Sequence, residues 1–439
     1  MRATPKERMQ RPGPRTVYVT AIEDIVQSPL IRGQVFNLLR EMRDQEPERL
    51  FAVFALYPVL NFWRFRRKTA ALRAELAQDG IGLHVAPILF LTRYFYIPWW
   101  LAPLYFLQAL IAACWIGWRL RPTLVHCRSY PAAMVGWLVR RIWRTPFVFD
   151  TRAPYPEEGA VREIGARTQR LDEPSFRMWK RWEGTLVKAA AFTTTVSTPN
   201  YSYLVGTYPA QVLHLCVAPT FAFVPDQQKL IKWRAETRQQ INTNNAVLAY
   251  AGSWSEPNLL RDVFQRVQAA TPTVTWSILL LVAQRGAPAQ IPDLNDYFQT
   301  ALGTRNCTAL SAAPNQVARY LAGADLAVFP LQPSDAFRHD PRYALWSKTV
   351  ISVKFVEYLA AGLPVLVSQW AGAAAELVNT YDVGIVYDTI TDAALAAWLL
   401  RWQQDARSFR VRAWETAHTH FSHDVVAHQY LELYRQAKG

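Results

Sequence analysis

Residues 352–368 read Ser352-Val-Lys-Phe-Val-Glu-Tyr-Leu-Ala-Ala-Gly-Leu-Pro-Val-Leu-Val-Ser368, and the rest of the chain is read outward from them. Lys354, Glu357, Tyr358 and Ala361 stand three or four apart, so a helix places them on one face. Gly362 suits the left-handed residue that ends such a helix. Pro364 forbids further helix and leaves Val365-Leu366-Val367 as a short buried strand. A Lys and a Glu on the first turns of a helix beside a sheet edge suit a nucleotide. The helix N-terminus and Lys354 favour phosphate, and Glu357 can accept both hydroxyl hydrogens of a ribose. The same spacing also fits an exposed amphipathic helix with an ordinary ion pair.

Short apolar strands alternate with helical patterns along the whole chain, which predicts parallel α/β sheets. In the first half the strands fall at 17–21, 50–56, 82–88, 123–127, 146–150, 191–196 and 212–217. In the second they fall at 246–251, 276–282, 307–310, 325–331, 364–367 and 384–387. Two such series predict two doubly wound, Rossmann-like domains. With 439 residues, half of them hydrophobic, the chain can bury two cores of ordinary size. The expected divisions are a disordered basic tail at 1–15, a first domain at 16–217, a second at 218–415 and a terminal helix at 416–439 that crosses back to the first domain. Chain around 332–347 is expected to be a solvated loop.

The formal charge of +14 is unevenly spread. Residues 1–215 hold 29 Lys and Arg against 16 Asp and Glu, whereas residues 216–439 hold 19 against 18. The basic surface therefore belongs to the first half and suits an anionic membrane or a phosphorylated partner. No nucleic-acid motif accompanies it, so nucleic acid is not expected as a partner. Phe62-Trp-Arg-Phe-Arg-Arg-Lys68 is a basic aromatic cluster of the kind that sits among lipid headgroups. Tyr94 to Trp118 carries no charge and is crowded with aromatic residues. Pro98 and Pro103 interrupt its start and leave about 15 helical residues, short of the ~20 a span needs. The four cysteines lie far apart without metal-ligand spacing, and there is no Asp-x-Asp motif, so no metal is expected.

Leu248-Ala-Tyr-Ala-Gly-Ser-Trp-Ser255 is a strand that runs straight into Gly252-Ser253, where backbone amides can approach a diphosphate. In the first half, Thr123-Leu-Val-His-Cys-Arg-Ser-Tyr130 and Phe147-Val-Phe-Asp-Thr-Arg-Ala-Pro-Tyr-Pro-Glu-Glu158 are strands that end in polar residues. Open α/β sheets place ligands at such ends. His126 and Arg128 alternate, as do Asp150 and Arg152. Asp150–Arg152 or Arg128–Glu158 ion pairs would be the structural alternative.

The 352–368 segment resembles the donor-site signature Lys-Phe-x-Glu-Tyr-Leu-Ala-x-Gly-x-Pro-Val of family 4 glycosyltransferases. The blocks at 123–158 resemble a subgroup with His-x-Arg-Ser and Phe-Asp-x-Arg…Pro-Glu-Glu. The resemblance implies the GT-B fold and a retaining, metal-independent transfer. A sugar would pass from a nucleotide diphosphate sugar, UDP- or GDP-linked, to a hydroxyl of a lipid-linked glycan in cell-surface polysaccharide synthesis. The enzyme would work on the cytoplasmic face of the membrane. It implies donor contacts from Gly252, Ser253, Lys354 and Glu357, catalytic roles for Asp150 and Arg152, and acceptor-side roles for His126, Arg128, Glu157 and Glu158. The sequence departs from the family in two places. Thr349 stands eight positions before Glu357, where many members carry a first Glu, and Trp254, Glu256 and Asn258 replace the usual Arg and Lys clamp. A nucleotide-sugar epimerase of the same fold, or a non-catalytic homologue that binds membrane or a partner, would share most of these features.

Overall fold

The computed structural model describes residues 13–90, 96–161, 171–209, 214–252, 257–282 and 294–437. They fall into two units. The first holds the described residues up to Pro219, Pro341–Thr349, and those from Asp424 onward. The second holds Thr220–Asp340 and Val350–His423.

The first unit is built on a parallel sheet of seven strands: β1 Arg15–Ala21, β2 Leu50–Pro58, β3 Ile81–Ile88, β4 Leu124–Arg128, β5 Phe147–Asp150, β6 Phe192–Thr195 and β7 Leu215–Val217. Their order is β3-β2-β1-β4-β5-β6-β7, so the chain reverses direction across the sheet between β1 and β4. Ligands of open α/β sheets bind outside the strand ends at such a switch point. Register places Tyr18 beside His126 and Arg128 beside Asp150. The strands read as continuous apolar runs because helices cover both faces. The sheet's neighbours include the helices Ser129–Trp143 and Glu173–Ala189, the second capped by Asp172, whose side chain accepts the Ser175 amide.

The second unit has a six-stranded parallel sheet: β8 Ala246–Gly252, β9 Trp276–Val282, β10 Cys307–Ser311, β11 Leu326–Phe329, β12 Val365–Val367 and β13 Gly384–Val386, in the order β10-β9-β8-β11-β12-β13. Its switch point lies between β8 and β11. The helix Val353–Ala360 runs into Gly362, whose φ of +71° fits the left-handed helix end that the sequence implies.

Several boundaries differ from the sequence reading. The tail assigned to 1–15 lies mostly outside the described residues. Its last residue belongs to β1, where Arg15 pairs with Leu50 and its guanidinium donates to the Leu120 carbonyl at 2.6 Å. The unit boundary falls after Pro219. The terminal helix begins at His423, not 416, because Ala406–His420 is a separate helix of the second unit. That helix stops where the Phe421 carbonyl accepts the Ala222 amide and Ser422 bridges to Ala222. No Gly or Pro marks this break in the sequence. Part of the expected 332–347 loop is a helix, Pro341–Thr349, which packs in the first unit on the helices Tyr155–Val161 and Thr198–Thr207.

The apolar segment after β3 also differs. Tyr94 lies outside the described residues, but Trp99–Leu120 is one continuous helix of 22 residues. Pro103 does not interrupt it, because it occupies the first turn of Ala102–Trp115, where no backbone donor is needed. By length and composition this helix could cross a membrane. One face, Tyr105, Ala109, Ala112, Ala113 and Ile116, is buried in the core of the first unit.

Candidate active site

Each unit carries a polar cluster at the carboxyl ends of its strands. In the second unit the cluster is built around Gly252, the last residue of β8. A Cβ at this position would collide with Lys354 Nζ and with the Tyr250 hydroxyl. The absence of a side chain therefore lets the Lys354 ammonium lie over the strand end, 5.6 Å from the centre of the Tyr250 ring. The helix that carries Lys354 is fixed to the same strand end. Its Tyr358 hydroxyl accepts the Ala251 amide at 2.8 Å and donates to the Ala251 carbonyl at 3.3 Å. Ser352 caps the helix by accepting the Lys354 amide.

Glu357 lies one turn further along. Burial pushes its carboxyl up to about 7, against the opposing pull of Lys354, although the residue keeps part of its surface in solvent. A half-buried carboxyl next to an ammonium at a strand end can take hydrogen bonds from a diol and balance a diphosphate. Gly252, Lys354 and Glu357 thus come together as the sequence predicts, while Ser253, Trp254 and Glu256 lie outside the described residues. Sequence reasoning missed Tyr250 and the clamping role of Tyr358. Tyr358 lies within the signature, but its partner is a backbone group 107 residues away.

In the first unit the cluster sits at the ends of β1, β4 and β5. Asp150 is buried. Its Oδ1 accepts the Thr194 hydroxyl at 3.3 Å, and its Oδ2 lies 3.6 Å from His126 Nε2 and 3.7 Å from Arg152 Nη1. Burial opposes its charge, but Arg152, His126 and Arg128 hold the carboxyl below the usual range. His126 stacks on Tyr18 with ring centres 4.3 Å apart, and its Nδ1 lies 2.6 Å from the hydroxyl of Tyr434, on the terminal helix. Burial lowers the His126 pKa and outweighs the effect of Asp150, so the imidazole is neutral at pH 7. Arg152 lies two residues past β5, with a left-handed backbone rather than strand alternation. It donates to Gln34 Oε1 at 2.7 Å.

Arg128 is paired with Glu23, 3.0 Å from its Nε, and not with Glu158. Burial works against the guanidinium's charge, but Glu23 leads the carboxylate and phenol groups that hold its pKa above the ordinary value. His126 Nε2, Arg128 Nη1 and Glu23 Oε2 are all buried without a hydrogen-bond partner. Such orphans cost about 1–3 kcal/mol each. The backbone is strained here as well. Ile22, Ser129 and Arg152 follow three adjacent strands, and all have φ between 60° and 70°. For a β-branched residue such as Ile22 this is an outlier. Unpaired polar atoms and strain concentrated at one switch point make this cluster the first unit's candidate site.

Glu157 and Glu158 lie on the helix Tyr155–Val161. Buried Glu157 reaches Lys180 at 3.1 Å, and Lys180 in turn reaches Glu183 at 2.5 Å. Glu183 is held by the hydroxyls of Tyr130, Tyr203 and Tyr208. Burial, then Glu183, raise the Glu157 pKa. Glu158 is partly exposed. Sequence reasoning missed Glu23, Tyr18, Gln34 and Tyr434. Glu23 follows a strand end, the same signal that exposed Asp150, whereas Tyr434 carries no signal at all.

Two doubly wound parallel sheets, each with its polar cluster at the carboxyl edge of a switch point, define a GT-B protein. Residues 34–219 match the glycosyl transferase 4-like domain and residues 245–405 match glycosyl transferases group 1. The chain belongs to the family 4-like glycosyltransferases, and its activity is sugar transfer. No curated protein sequence matches it significantly. Among solved structures, sucrose-phosphate synthase from Thermosynechococcus elongatus is similar at 16% identity and TM-score 0.64, covering 96% of this chain and 98% of that one. A glycosyltransferase from Rickettsia africae is similar at 13% identity and TM-score 0.63, covering 97% and 98%. Anabaena HepE in complex with UDP and glucose is similar at 16% identity and TM-score 0.59, covering 96% and 99%.

Proposed function

We propose that the protein transfers a hexose, with retention, from a UDP- or GDP-sugar to a hydroxyl of a lipid-linked glycan at an anionic membrane surface, in the synthesis of cell-surface polysaccharide. The observation that carries the donor half is the meeting of Gly252, Lys354 and Glu357 at the end of β8. Glu357 accepts the ribose hydroxyls, and Lys354 stabilises the charge that grows on the leaving diphosphate, so the reading needs no metal. Ribose hydroxyls donate best to the ionised carboxylate, so donor binding releases a proton from Glu357 below about pH 7. Thr349 offers the sugar no carboxylate, and its hydroxyl bonds to Leu345 and Trp346 within its own helix. UDP is the first donor base to test, since HepE was solved with UDP-glucose.

In the acceptor half, ionised Asp150 orients the acceptor hydroxyl, while Arg152 and the unpaired nitrogens of His126 and Arg128 bind its neighbouring oxygens. The membrane half rests on the first unit's surface. Trp100, Leu104, Leu107, Ile111 and Trp118 form an exposed stripe along Trp99–Leu120 at helical spacing. Trp63, Arg64, Arg66, Arg67 and Lys68 are also exposed. Such a surface lays aromatic rings in the headgroup region and cations on lipid phosphates, on the cytoplasmic face where nucleotide sugars are found.

The test is a thermal-shift screen against UDP-, GDP-, ADP- and TDP-sugars with the parent, Lys354→Ala and Glu357→Ala. The stabilising donor at 100 times its dissociation constant should add about 2.7 kcal/mol to the parent and much less to either variant. No response in the parent, or equal responses in all three proteins, would overturn the donor assignment.

A further inference from the structure

Beside the exposed stripe, the first unit has a cavity of about 420 Å³ between the edge strand β3 and the helix Ala102–Trp115. Its walls are mostly apolar: Phe54 and Leu56 from β2, Ala86 and Ile88 from β3, and Ala112 and Trp115 from the helix. Ile111 belongs both to the cavity wall and to the stripe, so the two surfaces are continuous. Its polar groups are Gln108, whose Oε1 accepts the Leu89 amide at 2.6 Å, and Arg73 and His84 nearer the start of β3. Arg73 lines it and is anchored by a bond from its Nε to the Leu83 carbonyl at 3.1 Å. His84 lines it too, with its ring 5.2 Å from that of Trp115. Burial lowers the His84 pKa, and the charges of Arg73 and Arg119 lower it further; Arg119 stands one turn beyond the wall residue Trp115 on the same helix. A cavity in the range of small-molecule sites, mostly apolar and lined by one guanidinium with a second a helical turn away, is complementary to a single hydrocarbon chain that carries a phosphate.

We propose that this cavity takes one acyl chain of an anionic phospholipid from the membrane, with the lipid phosphate held by Arg73 and Arg119. The proposal rests on the membrane-docking reading above and deepens it. Docking through the stripe brings the mouth of the cavity to lipid depth. One chain then leaves the bilayer for the cavity, which turns loose surface adhesion into a fixed attachment and holds the first unit in one orientation. No covalent step is involved.

Calorimetric titration with dodecyl phosphate below its micelle concentration tests the cavity, and flotation with vesicles of phosphatidylglycerol and phosphatidylcholine tests docking. The parent should bind one dodecyl phosphate per chain, tighter than dodecyl maltoside, and show no heat with inorganic phosphate. Ala86→Phe, which fills the cavity from a partly exposed position, should weaken dodecyl phosphate binding at least tenfold. Arg73→Glu, an exposed change that spares the core, should weaken it several-fold and remove the preference over the maltoside. Should Ala86→Phe fail to fold, Arg73→Glu still decides. A parent that floats with vesicles but takes up no dodecyl phosphate would overturn the cavity proposal and leave docking standing. Uptake without flotation would overturn the phospholipid source. Farnesyl phosphate bound tenfold tighter than dodecyl phosphate would assign the cavity to an isoprenoid carrier and overturn it as well.

Discussion

Glu357→Gln should make the protein more stable and a poorer donor binder at the same time. Burial raises the carboxyl from 4.5 to about 7. With the folded pKa above the unfolded one, the unfolded chain loses its proton first. The stability of the protonated form is fully present below pH 4.5, falls between 4.5 and about 7, and stays reduced above that. At about 1.4 kcal/mol per pH unit, the deficit at pH 8 reaches at most about 3.5 kcal/mol, and exposure of part of the side chain trims it. Gln keeps the shape without the charge and recovers that deficit. For a unit of this size each kcal/mol is worth about 2–4 °C, so the variant should melt several degrees higher at pH 8. Thermal unfolding of parent and variant from pH 4.5 to 8.5 is the assay. The two curves should coincide at the acid end, separate through neutrality and run parallel above it. Saturating nucleotide sugar should reverse the order, because an amide offers one acceptor oxygen where the carboxylate offers two. The cost to donor binding should be about 1.5–3 kcal/mol. A variant no more stable than the parent at pH 8, or equally more stable at pH 4.5, would refute the desolvation argument.

Gly252→Ala puts a methyl group where Lys354 Nζ and the Tyr250 hydroxyl lie. It should cost about 1–3 kcal/mol of stability and most of the donor affinity, both measured by melting with and without nucleotide sugar. Asp150→Asn should lower turnover about a hundredfold or more, the scale of general acid–base effects, with donor affinity unchanged. Normal turnover would make the Asp150–Arg152 pair structural. Arg66→Glu with Arg67→Glu should release the protein from anionic vesicles at low salt, since each cation near the surface contributes about 1 kcal/mol. Equal flotation of parent and double variant would remove these residues from the membrane face.

The strands were legible because burial on both faces writes them as apolar runs, and Gly-Leu-Pro-Val fixed where the donor helix ends. Lys354 and Glu357 were legible because one helix carries both. The first unit's cluster was only half legible. His126, Arg128 and Asp150 stand at strand ends, but Glu23 as the partner of Arg128 and Tyr434 as the partner of His126 follow from which strands and helices become neighbours. Local periodicity does not encode that. The segment Pro341–Thr349 escaped for the same reason, since its packing partners lie more than a hundred residues earlier in the chain. Pro103 misled because a proline marks a helix start as readily as a helix break.

The place of Tyr434 has a consequence for biosynthesis. The seventh strand of the first sheet is complete at Val217, yet the hydroxyl that closes over His126 arrives more than two hundred residues later. At ribosomal rates of about 5–20 residues per second that is a wait of roughly 10–40 s. During this time the slot lined by Tyr18, His126 and Arg49 has no Tyr434 to cover it. The nascent chain therefore carries an open aromatic groove while its second sheet is being made.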